Sequence, residues 1–260
     1  MKIGIFDSGM GGLSVLHQAL GLMDNEEFIY YADKKHVPYG LKTREEIIKY
    51  TREALSFMID KGVQGIVVAC NTATSAAISL MRKEFDIPIV GMEPAVKKAI
   101  DTYGKSKVLV VATPITVTGQ KMKGLIERVD KEHMSDLLAL PRLVEFAENN
   151  EFHTTAVKEY LLEKFKDYDL DSYSSLVLGC THFNYFKDSF RDILPEQVKF
   201  VDGNEGTIRH LMKELEIEQS NERKNQKISY YYSGEKVESK EELKQIENYL
   251  KRLDLMIKIN

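Results

Sequence analysis

The sequence lacks the features that mark membrane insertion, export or nucleic-acid binding. No apolar run approaches the about 18 residues of a membrane-spanning helix, and the apolar stretch in the N-terminal MKIGIFDSGMGG is too short for a signal peptide. The net charge is −4 and no Lys/Arg cluster stands out, which argues against a nucleic-acid partner. With 43% hydrophobic and 29% charged residues, the composition predicts a globular cytoplasmic protein without a membrane segment.

Cysteine is also scarce, since Cys70 and Cys180 are the only two in 260 residues. Because cytoplasmic thiols are kept reduced, we do not expect a disulfide between them. They lie far apart in the chain and lack C-x₂-C spacing, so neither a zinc site nor a redox dithiol is favoured. The sequence therefore predicts two free thiols and no metal.

Short apolar runs alternate with helical stretches along the chain. The predicted strands are KIGIF, EFIYYA, GIVVA, PIVGM, KVLVVA, SLVLG, VKFVD and KISYYYS. The predicted helices between them cover residues 43–61, 74–84, 93–103, 118–129, 154–166 and 206–215. The segments TREE (43–46) and SKEE (239–242) fit capping boxes, which mark helix starts. Strands that alternate with helices predict an α/β fold with parallel sheets.

The two cysteines occupy equivalent places in a weak internal repeat. KIGIFDSGMGG and KVLVVATPITVTG each combine an apolar strand with a small polar turn, and GIVVACNT and SLVLGCTH each place cysteine at a strand end. We therefore predict two pseudo-symmetric, doubly wound domains with the active site in the cleft between them. The predicted domains are 1–93 plus 208–260, and 94–207, with a boundary near Glu93–Pro94.

The polar turns follow the carboxyl ends of predicted strands, where open parallel sheets bind their ligands. Buried structural cysteines are one explanation of the pattern. The alternative is a pair of thiols on opposite faces of one carbon, where one removes an α-proton and the other returns it. Asp7 would then assist Cys70, and His182 with a carboxylate from EFAENNE (145–151) would assist Cys180.

The DSGMGG turn (7–12) and the HVPYG segment (36–40) are further candidates for binding. A dinucleotide fingerprint would need glycine where Ser14 stands, and no Lys-Ser/Thr closes a phosphate loop. The glycines of the turn either let the backbone approach a small anion such as a carboxylate, or only form a tight turn. Tyr39 either points into the cleft or covers the core.

Several motifs together resemble the glutamate racemase family, whose cofactor-independent enzymes supply D-glutamate for peptidoglycan. They are GIFDSGMGGLSVL, YYADKKHVPYG, VVACNTATSAA, VGMEPAVKKAI, VLVVATPITVTG, LVLGCTHFNYF and FVDGNEGT. The resemblance covers residues 3 to about 210 and YYYSG further on. It implies two α/β domains with the site between them, a C-terminal segment that returns to the first domain, no cofactor, and a homodimer.

The resemblance also implies roles for individual residues. Cys70 is similar to the thiol that acts on D-glutamate and Cys180 to the one that acts on L-glutamate. Asp7 and His182 correspond to the residues that assist these thiols, and Glu148 to an acid of the second domain. The implied substrate-binding residues are Asp7, Ser8, Tyr39, Gly40, Asn71, Thr72, Thr181 and His182.

One segment departs from the family pattern. In LALPRLVEFAE, Leu140 and Glu145 stand where the family usually has a cysteine and a second proline, which makes Glu145 an alternative to Glu148. Relatives that act on other acidic amino acids share the two-thiol layout, so aspartate is the alternative substrate. A non-catalytic amino-acid-binding protein is a second alternative, although binding alone does not require two cysteines.

Overall fold

The computed structural model of the chain describes residues 1–92, 95–103, 106–218 and 226–260. Its strands are β1 (Lys2–Asp7), β2 (Glu27–Ala32), β3 (Gly65–Val68), β4 (Ile89–Gly91), β5 (Lys107–Ala112), β6 (Ser135–Ala139), β7 (Tyr173–Leu178), β8 (Lys199–Val201), β9 (Lys227–Tyr232) and β10 (Glu235–Lys236). Its α-helices are α1 (Leu13–Leu22), α2 (Arg44–Asp60), α3 (Asn71–Glu84), α4 (Val96–Tyr103), α5 (Pro114–Thr118), α6 (Gln120–Val129), α7 (Arg142–Glu148), α8 (Thr155–Phe165), α9 (Lys187–Arg191), α10 (Asn204–Glu214) and α11 (Lys240–Met256). Short 3₁₀ helices cover Tyr39–Leu41, Leu170–Ser172 and Thr181–Phe186.

The strands form two sheets with the same central order. One sheet runs β10-β9-β2-β1-β3-β4 and the other β6-β5-β7-β8. The first four strands of the chain, in the order β2-β1-β3-β4, thus match β6-β5-β7-β8 one for one. All pairs are parallel except the short β9–β10 hairpin. This arrangement confirms the predicted α/β fold with two similar halves.

The central strands are buried on both faces, as expected for parallel sheets covered by helices. In β1, Ile3 and Ile5 pack in the cluster that holds α1 and α11, whereas Phe6 packs with α2 and α3 on the other face. Residues of β5 divide in the same way, and Val108 and Val110 face α4 and α6. The cluster around Ile3 also includes residues of the second sheet, so one apolar core joins the two halves.

The sequence predicted most elements but missed some boundaries. Strands β6 and β10 and helices α1, α5, α7 and α9 were not predicted, and the predicted helix 118–129 corresponds to α6, which begins at Gln120. Helix α3 begins at Asn71, earlier than the predicted residue 74, because the Cys70 side chain accepts the Ala73 N–H and caps it. The capping box at Thr43 and Glu46 is complete. At Ser239 the hydroxyl accepts the Glu242 N–H, and the Glu242 carboxylate accepts from that hydroxyl.

The C-terminal segment adds to the first sheet. Strand β9 pairs with β2 in parallel, and α11 packs against α1 and the 3₁₀ helix Thr181–Phe186. The predicted boundary near Glu93–Pro94, and with it the predicted start of the helix 93–103, lies outside the described residues. Helix α10 spans the second predicted boundary between residues 207 and 208. The domain ranges therefore remain a prediction.

In the part of the chain that the structure describes, no helix is long and apolar enough to cross a membrane.

Candidate active site

A cavity lies at the carboxyl ends of β1, β3, β5 and β7, where the polar turns of both halves meet. It encloses about 470 Å³ including its open mouth. Its lining residues are Ser8, Pro38, Tyr39, Gly40, Leu41, Cys70, Asn71, Thr72, Thr113, Pro114, Pro141, Val144, Glu145, Cys180, Thr181 and His182. Both cysteines are free thiols, so the structure brings the two predicted strand–cysteine segments to one site without a disulfide.

Cys70 follows β3 and caps the N-terminus of α3. Its Sγ accepts the Ala73 N–H at 3.4 Å and donates to Ser8 Oγ at 3.5 Å. Burial and, to a smaller extent, the nearby Asp7 charge together raise the pKa of the Cys70 thiol to about 12, although both hydrogen bonds oppose the shift. Cys70 therefore rests as a thiol at neutral pH and needs a proton acceptor before it can act as a base.

Asp7 ends β1 and links the two halves. Its Oδ1 accepts the Gly9 N–H at 2.9 Å, and its Oδ2 accepts the Thr181 hydroxyl at 3.0 Å. Burial raises the pKa of Asp7 to about 6, while the His182 charge and the two hydrogen bonds hold it from rising further. A carboxyl with a pKa of about 6 can both take and release a proton close to neutral pH.

Cys180 follows β7 and precedes the 3₁₀ helix Thr181–Phe186. Its Sγ lies 3.7 Å from His182 Nδ1, and His182 Nε2 lies 2.7 Å from Glu148 Oε1. Burial alone would lower the pKa of His182, but its hydrogen bonds to Cys180 and Glu148 raise it well above the usual range. The raised pKa favours a protonated ring that donates to the Glu148 carboxylate, although the Gly11 N–H also points at the same Nε2 atom, at 3.2 Å.

The structure separates the two candidate acids of the second half. Glu148 is the last residue of α7, and its Oε1 accepts the Met10 N–H at 2.6 Å as well as contacting His182. Glu145 lines the mouth of the cavity instead. Glu148 is thus the acid that touches the histidine beside Cys180, and Glu145 is an exposed carboxylate at the entrance.

The glycines of the DSGMGG turn allow the second half to approach closely. A Cβ on Gly9 would collide with the Glu148 carboxylate, and one on Gly11 would collide with the His182 ring and the Thr181 hydroxyl. A Cβ on Gly12 would lie 2.5 Å from Asp7 Cβ. The glycines therefore make room for side chains that surround the thiols. Their predicted approach to an anion stays a prediction.

All of the predicted substrate-binding residues except Asp7 line the cavity, and Asp7 is fully buried beside it. The Tyr39 ring forms part of the cavity wall. Its hydroxyl points away from the cavity and donates to the buried Asp33 carboxylate at 2.7 Å, which fixes the position of the ring. Thr72 Oγ1 lies 3.0 Å from Thr113 Oγ1 across the two halves. Asn71 Oδ1 is buried without a hydrogen-bond partner in the described part of the chain, and Asn71 faces the cavity.

Sequence reasoning missed some residues of the site. Thr113 and Pro114 line the cavity, and the strand-end segment ATPIT was the only signal for them. Met10 and Asp33 act through backbone and side-chain hydrogen bonds that no local pattern predicts. Among the residues that the structure describes, no Lys or Arg lines the cavity. An anionic substrate would therefore be held there by hydroxyls, amides and backbone N–H groups at the starts of α3 and the 3₁₀ helix Thr181–Phe186.

The chain belongs to the Asp/Glu/Hydantoin racemase family, whose sequence model matches residues 13–211. It is 57% identical, over 265 residues and 100% of both chains, to a Campylobacter curvus (strain 525.92) protein named "Glutamate racemase". The crystal structure of glutamate racemase from Campylobacter jejuni subsp. jejuni superposes with a TM-score of 0.83 at 28% identity, covering 96% of this chain and 98% of that one. The Escherichia coli glutamate racemase, described in complex with L-glutamate and activator UDP-MurNAc-ala, gives a TM-score of 0.80 at 27% identity, over 97% and 94%.

Proposed function

We propose that Cys70 and Cys180 are the two acid–base groups of a glutamate racemisation that uses no cofactor. The chain is an isomerase that interconverts L-glutamate and D-glutamate and so supplies D-glutamate for peptidoglycan. The observation that carries the mechanism is the placement of two free thiols at equivalent strand ends of the two sheets, in one cavity. Each thiol lies near one titratable group: the Asp7 charge acts on Cys70, which itself hydrogen-bonds Ser8, and His182 Nδ1 lies 3.7 Å from the Cys180 sulfur.

With D-glutamate, Cys70 removes the α-proton. The proton of its thiol first passes toward Asp7, the thiolate then takes the proton from Cα, and the electron pair of the C–H bond stays on the substrate as a carbanion. The Cys180 thiol donates a proton to the opposite face of Cα, which forms L-glutamate. The resulting Cys180 thiolate is stabilised by the His182 imidazolium, whose charge Glu148 balances at 2.7 Å.

With L-glutamate, the same steps run in reverse. The Cys180 thiolate, paired with His182, removes the α-proton and Cys70 returns one from the other side. Asp7 and Ser8 would contact the substrate ammonium group. Donors at Asn71, Thr72 and Thr181 would hold the two carboxylates, with Tyr39 and Gly40 forming the facing wall of the cavity.

The assignment to glutamate rests on the relatives. The 57% identical Campylobacter curvus protein is named for glutamate, and the Escherichia coli structure is described with L-glutamate bound. Aspartate, which is one methylene shorter, is the alternative substrate, because the family name includes it. Comparing kcat/KM for the enantiomers of both amino acids tests this choice, and a higher value for aspartate would reverse it.

The protein is further proposed to act in the cytoplasm as a homodimer. A family resemblance supports the dimer, and the two cysteines, which share one cavity as free thiols, support a reducing compartment. Light scattering coupled to gel filtration measures the mass directly. A mass near twice 29.8 kDa supports the dimer, and a mass near 29.8 kDa contradicts it.

Two substitutions test the mechanism. Cys70→Ser and Cys180→Ser should each lower the racemisation rate by at least about 10³-fold in both directions, because a hydroxyl is too weak an acid and base to replace the thiol. Ser175→Ala is the matched control, since it changes one buried atom at the far end of the strand that leads to Cys180. Full activity in both cysteine variants would overturn the two-thiol mechanism.

A further inference from the structure

The C-terminal helix α11 reaches the site from behind the Cys180 side. Tyr249 of this helix is fully buried, and its hydroxyl donates to the Ala147 carbonyl oxygen at 2.8 Å and lies 3.3 Å from the Glu148 carbonyl oxygen. These two residues end the helix α7, which spans only Arg142–Glu148. A helix of this length depends on outside contacts for its position. The Ala147 carbonyl oxygen also accepts the Asn150 N–H at 3.0 Å, so the Tyr249 hydroxyl adds a tertiary contact to an end that the following backbone caps.

The position of α7 matters because its last side chain contacts the histidine of the site. Glu148 Oε1 lies 2.7 Å from His182 Nε2, and His182 Nδ1 lies 3.7 Å from the Cys180 sulfur. A contiguous chain of contacts therefore runs from the Tyr249 hydroxyl through the backbone of α7 to Glu148, His182 and Cys180. Cys70 has no direct contact in this series, since its hydrogen-bond partners are Ser8 and Ala73, and Glu148 and His182 reach it only through the charge of Asp7.

Rigid packing surrounds the Tyr249 ring. Its centroid lies 5.3 Å from that of Tyr185 and 5.7 Å from that of Phe152. The Tyr185 hydroxyl in turn donates to the Met10 carbonyl oxygen at 2.7 Å, and the Met10 N–H donates to Glu148. The Glu148 carboxylate is thus held from the Met10 side while Tyr249 holds its backbone.

We propose that Tyr249 is a positioning residue for the Cys180 side of the reaction, acting through α7 to hold Glu148 against His182. The inference rests on the proposed racemisation, because it assigns Tyr249 to one of the two proton transfers. Loss of the hydroxyl frees the end of α7, weakens the contact between Glu148 and His182, and slows the proton transfer at Cys180. The proton transfer at Cys70 is affected less, because Glu148 and His182 act on it only through the charge of Asp7.

A one-sided effect has a signature that a general loss of stability lacks. Each direction of racemisation breaks the α-C–H bond at a different thiol, so the deuterium isotope effect on kcat/KM reports how far that step limits the rate. If the Cys180 step becomes slower, the isotope effect rises with L-[2-²H]glutamate and falls with D-[2-²H]glutamate. A smaller fraction of folded enzyme changes neither value, because the isotope effect is a ratio of rates.

The test compares Tyr249→Phe with the unsubstituted protein and with Tyr173→Phe. Tyr173 is a matched control, since it is buried in the half that holds Cys180. Its hydroxyl contacts Asp136 at 2.5 Å, at the opposite end of β7 from Cys180. Tyr249→Phe should lower kcat about fivefold, the effect of one ordinary hydrogen bond, and shift the two isotope effects in opposite directions. Tyr173→Phe should leave both unchanged.

The outcomes separate the two proposals. Unchanged isotope effects in Tyr249→Phe, whether or not its rate falls, overturn the positioning role, and so does a parallel shift of both values. If Tyr173→Phe gives the same opposite shifts, the effect is not specific to α11 and the inference is wrong. If the unsubstituted protein does not exchange the α-proton of glutamate, the proposed function fails before the inference is reached.

Discussion

At the Cys70 side of the cavity, burial acts on two neighbouring acids at once. It raises the pKa of the thiol to about 12 and that of Asp7 to about 6. The Cys180 side is arranged differently, because hydrogen bonds to Cys180 and Glu148 outweigh burial and raise the pKa of His182 well above its usual range. A carboxyl with a raised pKa therefore lies near one thiol, and a histidine with a raised pKa lies beside the other. At the scale of single residues, the pseudo-symmetric halves have distinct chemistry.

Asp7→Asn should make the protein more stable and less active. Because the pKa of Asp7 is raised from 3.8 to about 6 on folding, its stabilising contribution is full below pH 3.8 and is lost as the pH rises through 6. Asparagine does not ionise, so the stability gained by the variant relative to the unsubstituted protein should grow by about 2 kcal/mol between pH about 4.5 and 7.5. Urea unfolding at several pH values measures this difference, and a constant difference across that range would count against the buried carboxylate. The racemisation rate should fall at least about 10²-fold.

Glu148→Gln should reduce activity, whereas Glu145→Gln should have little effect. The Glu148 hydrogen bond raises the pKa of His182, so its neutral replacement lowers that pKa and the imidazolium is lost at lower pH. We expect kcat with L-glutamate to fall about 10- to 100-fold, with its alkaline limb moved to lower pH. The pH dependence of kcat in both variants decides the matter. If kcat falls more in Glu145→Gln than in Glu148→Gln, Glu145 at the cavity mouth is the functional acid.

At the scale of elements, the turn between β1 and α1 fits the second half because its glycines have no side chains. The sequence predicted this turn and the strand ends, since uninterrupted apolar runs such as GIVVA stop abruptly at small polar residues.

The sequence did not predict β6, because SDLLA is a half-buried edge strand whose Asp136 interrupts the apolar pattern. It also gave no sign of Tyr249, because the contact between α11 and α7 depends on tertiary packing between residues about a hundred positions apart.

Gly11→Ala tests the closeness of this approach. Its Cβ would collide with the His182 ring and the Thr181 hydroxyl, so we expect a loss of about 1–3 kcal/mol in unfolding free energy and at least about 10²-fold in activity. Gly21→Ala is the matched control within α1, where a Cβ has no neighbour within 4 Å. It should stabilise the protein by about 0.5–1 kcal/mol and leave activity unchanged. Equal behaviour of the two variants in denaturant and rate measurements would show that the turn tolerates a side chain.

At the scale of the whole molecule, the two halves meet through the site itself. The Thr181 hydroxyl donates to Asp7, the Met10 N–H donates to Glu148, and Thr72 contacts Thr113. Both thiols are only 6–7% exposed in this arrangement. A substrate that spans the cavity should add further contacts between the halves, and binding and stability should therefore be coupled.

D-Glutamate at about 100 times its Kd should stabilise the folded protein by about 2.7 kcal/mol, which corresponds to a rise in Tm of about 5 °C. It should also slow alkylation of Cys70 and Cys180 by iodoacetamide. Cys70→Ser serves as the control, because it should still bind and give a similar rise in Tm without turnover. Differential scanning fluorimetry and mass spectrometry of the alkylated peptides provide the readouts. An unchanged Tm together with unprotected thiols would place the substrate elsewhere.

The central claim is that two thiols on opposite faces of Cα exchange its proton without a cofactor. The most direct measurement is incubation with D-glutamate in D₂O, with no cofactor added, while optical rotation and the α-proton NMR signal are followed together. We predict that both signals are lost, because each turnover removes a proton at one thiol and returns a deuteron from the other. Loss of the α-proton signal with full retention of optical rotation would show that only one base acts, and would contradict the two-thiol mechanism.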